Sequence, residues 1–284
     1  MKTYFISSKS PLLIAVVGFL MAQTNPAFAA PSDLQITRDP DTGKVTVSWN
    51  GKGVLKQATG TDGRFKPVRK RGSSHTITPD AELMLFTLES AQSPIYSVNA
   101  VGYVNTQLRP GLSLINNPLL NTVNTVESLM RDMPDGTQVY KYVSGVGYEV
   151  SSYDAAQGLW SNPDMDLSPG IGFFVDNPSA GTVVNTFVGE VLQGVLVNNL
   201  PAGFSTEGSL VPQAGSINDL HGIPGETGDV IRLYANDGQG GGSYVMSVFA
   251  DGVWTPDLTL GVGEGFISEK QNAQDWIRIF SVFP

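Results

Sequence analysis

Apolar and polar residues alternate along most of the chain in short runs, and clusters of Gly, Pro, Asp and Ser separate one run from the next. Val45, Val47 and Trp49 share one face of such a run, with Thr46 and Ser48 on the other. A period of two marks a half-buried strand, because successive side chains point to opposite sides of a sheet. The same pattern predicts strands near Val54 to Gln57, Phe65 to Arg69, His75 to Thr78 and Leu83 to Leu88. Short strands at this spacing within residues 31–90 predict a small sandwich-like unit. Asp39-Pro40-Asp41-Thr42-Gly43-Lys44 reads as a tight hairpin turn, since a calcium loop needs further spaced oxygens and a distal Glu.

Beyond a linker at Ser90 to Pro94 the sequence repeats itself, which predicts two β-rich modules, residues 95–187 and 188–284, closing as sandwiches or barrels. Val101-Gly102-Tyr103-Val104 is matched with Val188-Gly189-Glu190-Val191, and Arg109-Pro110-Gly111-Leu112-Ser113 with Pro201-Ala202-Gly203-Phe204-Ser205. Val139-Tyr140-Lys141-Tyr142 is matched with Val230-Ile231-Arg232-Leu233. Trp160 with Leu167-Ser168-Pro169-Gly170-Ile171-Gly172-Phe173-Phe174 answers Trp254 with Leu260-Gly261-Val262-Gly263-Glu264-Gly265-Phe266-Ile267. Strands are predicted near Val101 to Thr106, Leu112 to Ile115, Gln138 to Val143, Tyr148 to Tyr153, Gly172 to Val175 and Val183 to Val188. One short helix per module interrupts them. Asn124 caps the first, with Glu127 three residues on, and Val123, Val126, Leu129 and Met130 on one face. In the second module it shrinks to about one turn at Ile217 to Leu220, and the glycine-rich loop Asn236 to Gly242 is expected to flex.

The pattern W-x(6)-L-x-P-G-x-G-F-F at Trp160 to Phe174, with its echo at Trp254, resembles a family of secreted β-module proteins of environmental Gram-negative bacteria that carry this unit in tandem. The resemblance covers roughly residues 95–284 and implies a fold, not an activity. The second copy departs from it, with Gly261 and Val262 where the first has Ser168 and Pro169. Residues 31–90, with Val47-Ser48-Trp49-Asn50-Gly51-Lys52-Gly53-Val54-Leu55, are similar to the small immunoglobulin or fibronectin-III-like segments attached to exported bacterial proteins.

The first residues change the picture from fold to compartment. Lys2 and Lys9 precede an apolar run from Pro11 to Ala22 and then Ala27-Phe28-Ala29, the plan of a secretory signal peptide cleaved after residue 29. The run is shorter than the ~20 residues a membrane-spanning helix needs, so no transmembrane segment is expected in the mature chain. The expected place is the periplasm, the cell surface or the medium. The chain has no Cys, which removes disulfides, thiolate metal sites and lipid attachment at a cleavage-site cysteine.

Without the leader the chain has fifteen bases against twenty-six acids, a net charge of −11. Residues 31–90 carry nine bases against seven acids, whereas residues 91–284 carry six against nineteen. An acidic body repels phosphate backbones, so no nucleic-acid partner is expected. The one basic cluster, Arg64, Lys66, Arg69, Lys70 and Arg71, reads as a solvated hairpin or as a dock for an acidic group.

Catalytic residue types are scarce. His75 and His221 stand alone in different units, so neither a metal site nor another cofactor is expected. Neither Gly111-Leu112-Ser113 nor Gly203-Phe204-Ser205 completes a nucleophile elbow, and Gly261-Val262-Gly263-Glu264-Gly265 lacks the Lys and Ser or Thr of a phosphate loop. Trp160 and Trp254 occupy equivalent places and are the candidate ligand-binding residues, as stacking platforms for sugar rings or, alternatively, as plugs of their module cores. The expected function is therefore non-enzymatic: an exported binding or surface-assembly protein whose partner is a polysaccharide or a cell-envelope protein. The alternative is an extracellular glycan hydrolase working through Asp164 and Asp166.

Overall fold

The computed structural model describes residues 34–69, 72–90 and 99–283. The expected leader, Lys70, Arg71 and the linker after Ser90 lie outside the described residues. Among the described residues the fold is mainly β, with 52% of them in strands and 2% helical.

Six strands open the fold: β1 (Gln35–Arg38), β2 (Val45–Ser48), β3 (Gly53–Ala58), β4 (Lys66–Pro67), β5 (Ser74–Ile77) and β6 (Leu83–Ser90). Next come β7 (Val101–Leu108), β8 (Gly111–Asn116), the single-turn helix α1 (Val126–Leu129), β9 (Gln138–Val143), β10 (Gly147–Asp154), β11 (Leu159–Trp160), β12 (Gly172–Asn177) and β13 (Val183–Glu190). The last third holds β14 (Gly194–Leu200), β15 (Gly203–Gly208), β16 (Gly215–Ser216), β17 (Val230–Asn236), β18 (Gly242–Ala250), β19 (Val253–Thr255), β20 (Thr259–Leu260), β21 (Gly265–Lys270) and β22 (Gln274–Phe280).

Two five-stranded sheets follow one plan. The first runs β11-β10-β9-β12-β8 and the second β19-β18-β17-β21-β15, each returning its last strand between its first and second. Around them β7 pairs with β13 and β14 with β22, antiparallel in both cases. Register matches as well as order. Gly111 pairs with Asn177 and Gly172 with Asn116 in the first sheet, as Gly203 pairs with Lys270 and Gly265 with Gly208 in the second. Equivalent positions on these strands are therefore 92 or 93 residues apart.

That register corrects two landmarks read from the sequence. Val188-Gly189-Glu190 is not the second copy of Val101-Gly102-Tyr103 but its neighbour across the β7–β13 pair, with Gly189 opposite Gly102. The shared Val-Gly has a packing cause. A Cβ on Gly102 would lie 2.5 Å from the Met84 carbonyl oxygen, and one on Gly189 would lie 2.6 Å from that of Leu120. Strand β13 thus runs through the boundary expected between 187 and 188. The second landmark slips by one residue: Val139 corresponds to Ile231, since they oppose Val175 and Ser268 at equivalent places on the return strands. Both are fully buried, and a slip of one would turn the strand inside out.

The first unit forms two layers but does not close on itself. Strands β1-β2-β5 make one layer, while β4-β3-β6 continue into β7 and β13 as a single five-stranded sheet. Leu34, Val45, Val47 and Trp49 pack onto Leu55, Phe86, Leu88, Val101, Tyr103 and Val188. A continuous sheet and a shared core therefore span the division expected between residues 90 and 95.

Helix α1 begins one residue later than the sequence suggested. Thr125 is its N-cap residue, and its N–H donates to Ser128 Oγ at 3.1 Å. Asn124 instead shapes the preceding loop, accepting from the Asn121 N–H at 3.0 Å and donating to the Asn121 carbonyl at 2.8 Å. In the second module the corresponding segment, Ile217 to Leu220, is a turn rather than a helix.

Candidate functional site

The two five-stranded sheets meet face to face. Leu114 and Phe174 of the first and Ile267 of the second form the centre of this seam, with Leu112, Tyr140, Phe204 and Tyr234 packed around them. Backbone contacts across it come in matched pairs. The Asn116 N–H donates to the Gly263 carbonyl at 2.9 Å, and the Gly208 N–H donates to the Gly170 carbonyl at 2.9 Å. Ile115 bridges to Glu264 as Glu207 bridges to Ile171. Each contact becomes its mate under the offset of 92 or 93, so an approximate twofold relates the modules. Glycine permits the approach: a Cβ on Gly172 would lie 2.5 Å from the Glu207 carbonyl oxygen, and one on Gly265 would lie 2.8 Å from that of Ile115.

Aromatic side chains line the outer rim of this seam. Tyr142 meets Phe204 edge-on at 4.7 Å between centroids and Tyr148 at 5.4 Å. From the other module Tyr234 meets Phe174 at 5.6 Å and Tyr244 at 5.2 Å. Tyr148 and Tyr244 pair with Tyr142 and Tyr234 at equivalent register positions, and they expose 48% and 49% of their surface. Burial pushes the Tyr148 phenol up, and the neighbouring Tyr244 and Tyr142 phenols add to the effect. Two half-exposed rings, one from each module, offer what stacking needs: rigid area with a polar tip.

Two hollows flank the seam at equivalent places. The larger, about 900 Å³, draws on all three parts of the chain, with Asp80 and Glu82, then Arg109, then Tyr234, Asn236 and Glu264 on its walls. The smaller, about 290 Å³, is lined by Lys141, Tyr142, Asn198 and Glu207 among others. Thr106 Oγ1, in the larger hollow, is buried without a hydrogen-bond partner. Burial drives the Glu207 carboxyl up to about 7, against the pull of Ser205 and Asn198 beside it. Glu264 is raised by burial too, although its Oε2 accepts the Gly261 N–H at 2.7 Å and closes its own turn.

The glycine-rich loop after β17 does not swing free. Asn236 Nδ2 donates to the Pro110 and Leu112 carbonyls at 3.0 and 2.6 Å, and Asp237 Oδ1 accepts the Gln239 and Gly241 N–H groups. Gly240 sits so close to Gly111 that a Cβ there would lie 2.8 Å from it. The loop is a tether between the modules.

Trp160 and Trp254, the expected platforms, lie in the module cores with 4% and 1% of their surface exposed. Each indole N–H donates to a backbone carbonyl at 2.8 Å, Trp160 to Met130 and Trp254 to Ile223. Neither ring leaves a face to a sugar. Asp164 and Asp166 are exposed in a turn that none of the hollows above includes, and Asp166 Oδ1 accepts the Ser168 N–H at 3.0 Å. His221 is buried, its carbonyl taken by Trp276 Nε1 at 2.7 Å; burial, with Arg278 alongside, lowers its imidazole to about 4. His75 lies on β5 with its ring 6.3 Å from Phe86. Of the basic cluster, Arg64 pairs with Asp62 at 3.2 Å, and Lys66 lies on the edge strand β4. Among the described residues no three His, Asp or Glu side chains gather as a metal site would require.

Alternation alone does not single out Tyr148 and Tyr244. A signal was present in the repeat itself, where both tyrosines stand shortly before the equivalent tryptophans and out of phase with the buried residues of their strands. No family model matches the chain, and no curated protein aligns with it.

Proposed function

We propose that the chain is an exported, non-enzymatic binding protein built from two copies of one β-module, and that it holds a carbohydrate along the aromatic rim of the seam between them. The observation that carries this reading is the pair Tyr148 and Tyr244, half-exposed at equivalent positions and backed by Tyr142 and Tyr234. The common strand order supports the duplication, and the leader read at residues 1–29 supports export. Two stacking rings at equivalent places suit a chain of sugar units, because two weak contacts on one ligand add through effective concentration.

Affinity electrophoresis of the mature protein through neutral and acidic polysaccharides tests the proposal. Migration is expected to be retarded in at least one gel, and Tyr148→Ala and Tyr244→Ala are each expected to abolish most of the retardation while melting like the parent. Unretarded migration across the panel, or retardation unchanged in both variants, overturns it.

A further inference from the structure

We propose that the outer face and open edge of the β14–β22 pair form a docking site for an extended, basic strand of a partner protein. The pair is strictly two-sided. Leu196, Leu200, Trp276 and Phe280 point inward and are buried, whereas Val195, Val197, Ile277 and Ile279 point outward. Register sets Val195 beside Ile279 and Val197 beside Ile277, so four β-branched side chains form one patch, each between 52% and 86% exposed. Monomeric proteins seldom leave such a patch on a strand pair without a use for it.

The chain itself shows what covers such a face. In the first module the equivalents of Val195 and Ile279 are Tyr103 and Val188, and both are buried beneath the β1-β2-β5 layer. The edge of β7 is occupied too, by β6, through Leu83 opposite Val104 and Phe86 opposite Val101. Among the described residues no strand pairs with the second edge of β14. The second module therefore presents uncovered what the first presents covered.

Charge selects the occupant. Residues 191–284 hold ten acids and three bases, and every base is engaged. Arg232 pairs with Glu269 at 2.8 Å, Lys270 pairs with Asp229 at 3.3 Å, and Arg278 donates to Gln213 Oε1 at 2.6 Å. The layer that covers the first module belongs to residues 31–90, where bases outnumber acids nine to seven. A basic strand carrying apolar side chains on one face meets both demands, its backbone completing the β14 edge and its charges opposing the acidic module. A second copy of the chain fits less well, since it carries −11 overall and its own N-terminal layer already covers its own first module.

The test uses the full mature chain and a fluorescent peptide with the Leu83 to Leu88 sequence between flanking lysines, followed by anisotropy. A peptide with flanking glutamates is the control. Saturable binding is expected for the lysine peptide, weakened by salt and at least about tenfold weaker for the glutamate peptide. Val195→Ser with Ile279→Ser removes two exposed side chains and is expected to weaken binding about tenfold or more without changing the melting temperature. Absence of binding, equal affinity for both peptides, or undiminished binding by the serine variant overturns the proposal. So does a dimer in sedimentation that the serine variant dissolves, because the face would then belong to a second copy.

Discussion

At the scale of single residues, the two modules reuse one device, a tryptophan at the end of a hairpin whose N–H is held by a backbone carbonyl at 2.8 Å. Trp160→Ala removes a large buried ring and leaves the Met130 carbonyl unpaired, so it is expected to cost about 3–5 kcal/mol in urea unfolding. The sequence marked these tryptophans as the residues to watch but could not assign their depth. Alternation says which side of a strand a residue takes, not whether that side faces water or a second layer. Glu207 makes a separate prediction. Its carboxyl titrates at about 7 in the folded chain against an ordinary 4.5, so the folded state holds the proton more tightly and stability declines as pH rises from about 4.5 through about 7. Glu207→Gln is expected to melt like the parent in acid and above it at pH values beyond 7. His221 acts in the opposite sense, its pKa lowered from 6.5 to about 4, so its contribution is lost as pH falls through that window. Comparing parent and Gln variant at each pH subtracts the histidine and isolates the glutamate.

At the scale of elements, the strands were largely legible and the pairings were not. Runs such as Val45 to Trp49 and Gly172 to Val175 declare themselves by period and turn residues. Register stayed hidden because it is fixed across the sheet, by Val175 opposite Val139 and Ser268 opposite Ile231, which no local pattern encodes. The glycine-rich loop misled for a related reason: its composition permits flexing, but Asn236 spends both its side-chain hydrogens on the other module. Seam glycines carry the next prediction. Gly172→Ala drives a methyl into the Glu207 backbone and is expected to destabilise by about 1–3 kcal/mol, whereas Gly181→Ala, with open space around it, is expected to change little. The strand ends differ between modules in a way that can also be measured. Asn177 closes the first by donating to the Leu108 and Gly181 carbonyls, and Lys270 closes the second by donating to Gln274 Oε1 and the Pro224 carbonyl beside buried Asp229. Lys270→Ala strands a buried carboxylate and is expected to cost about 3–5 kcal/mol, less when Asp229→Asn accompanies it.

At the scale of the whole molecule, the decisive feature is that three sequence units make fewer than three independent bodies. Composition and the repeat divide the chain near residue 90, but β6 pairs with β7, and Val101, Tyr103 and Val188 complete the core begun by Val45 and Trp49. A unit of about sixty residues has little interior of its own, and borrowing a ready-made sheet supplies the missing half. The loan runs both ways, because the first module is thereby spared the open edge and apolar face that the second retains. A chain beginning at Asn99 is accordingly expected to expose Tyr103, Val101 and Val188, to unfold at lower denaturant than the mature protein, and to self-associate in sedimentation velocity at concentrations where the mature protein does not. Introducing Tyr103→Ser and Val188→Ser into the shortened chain should then restore much of its solubility without restoring its stability, since polar side chains suit the bared face but no layer returns to bury it. Equal stability and a monomeric state for the shortened chain would instead mean that the continuous sheet contributes little and that the units are joined only in series.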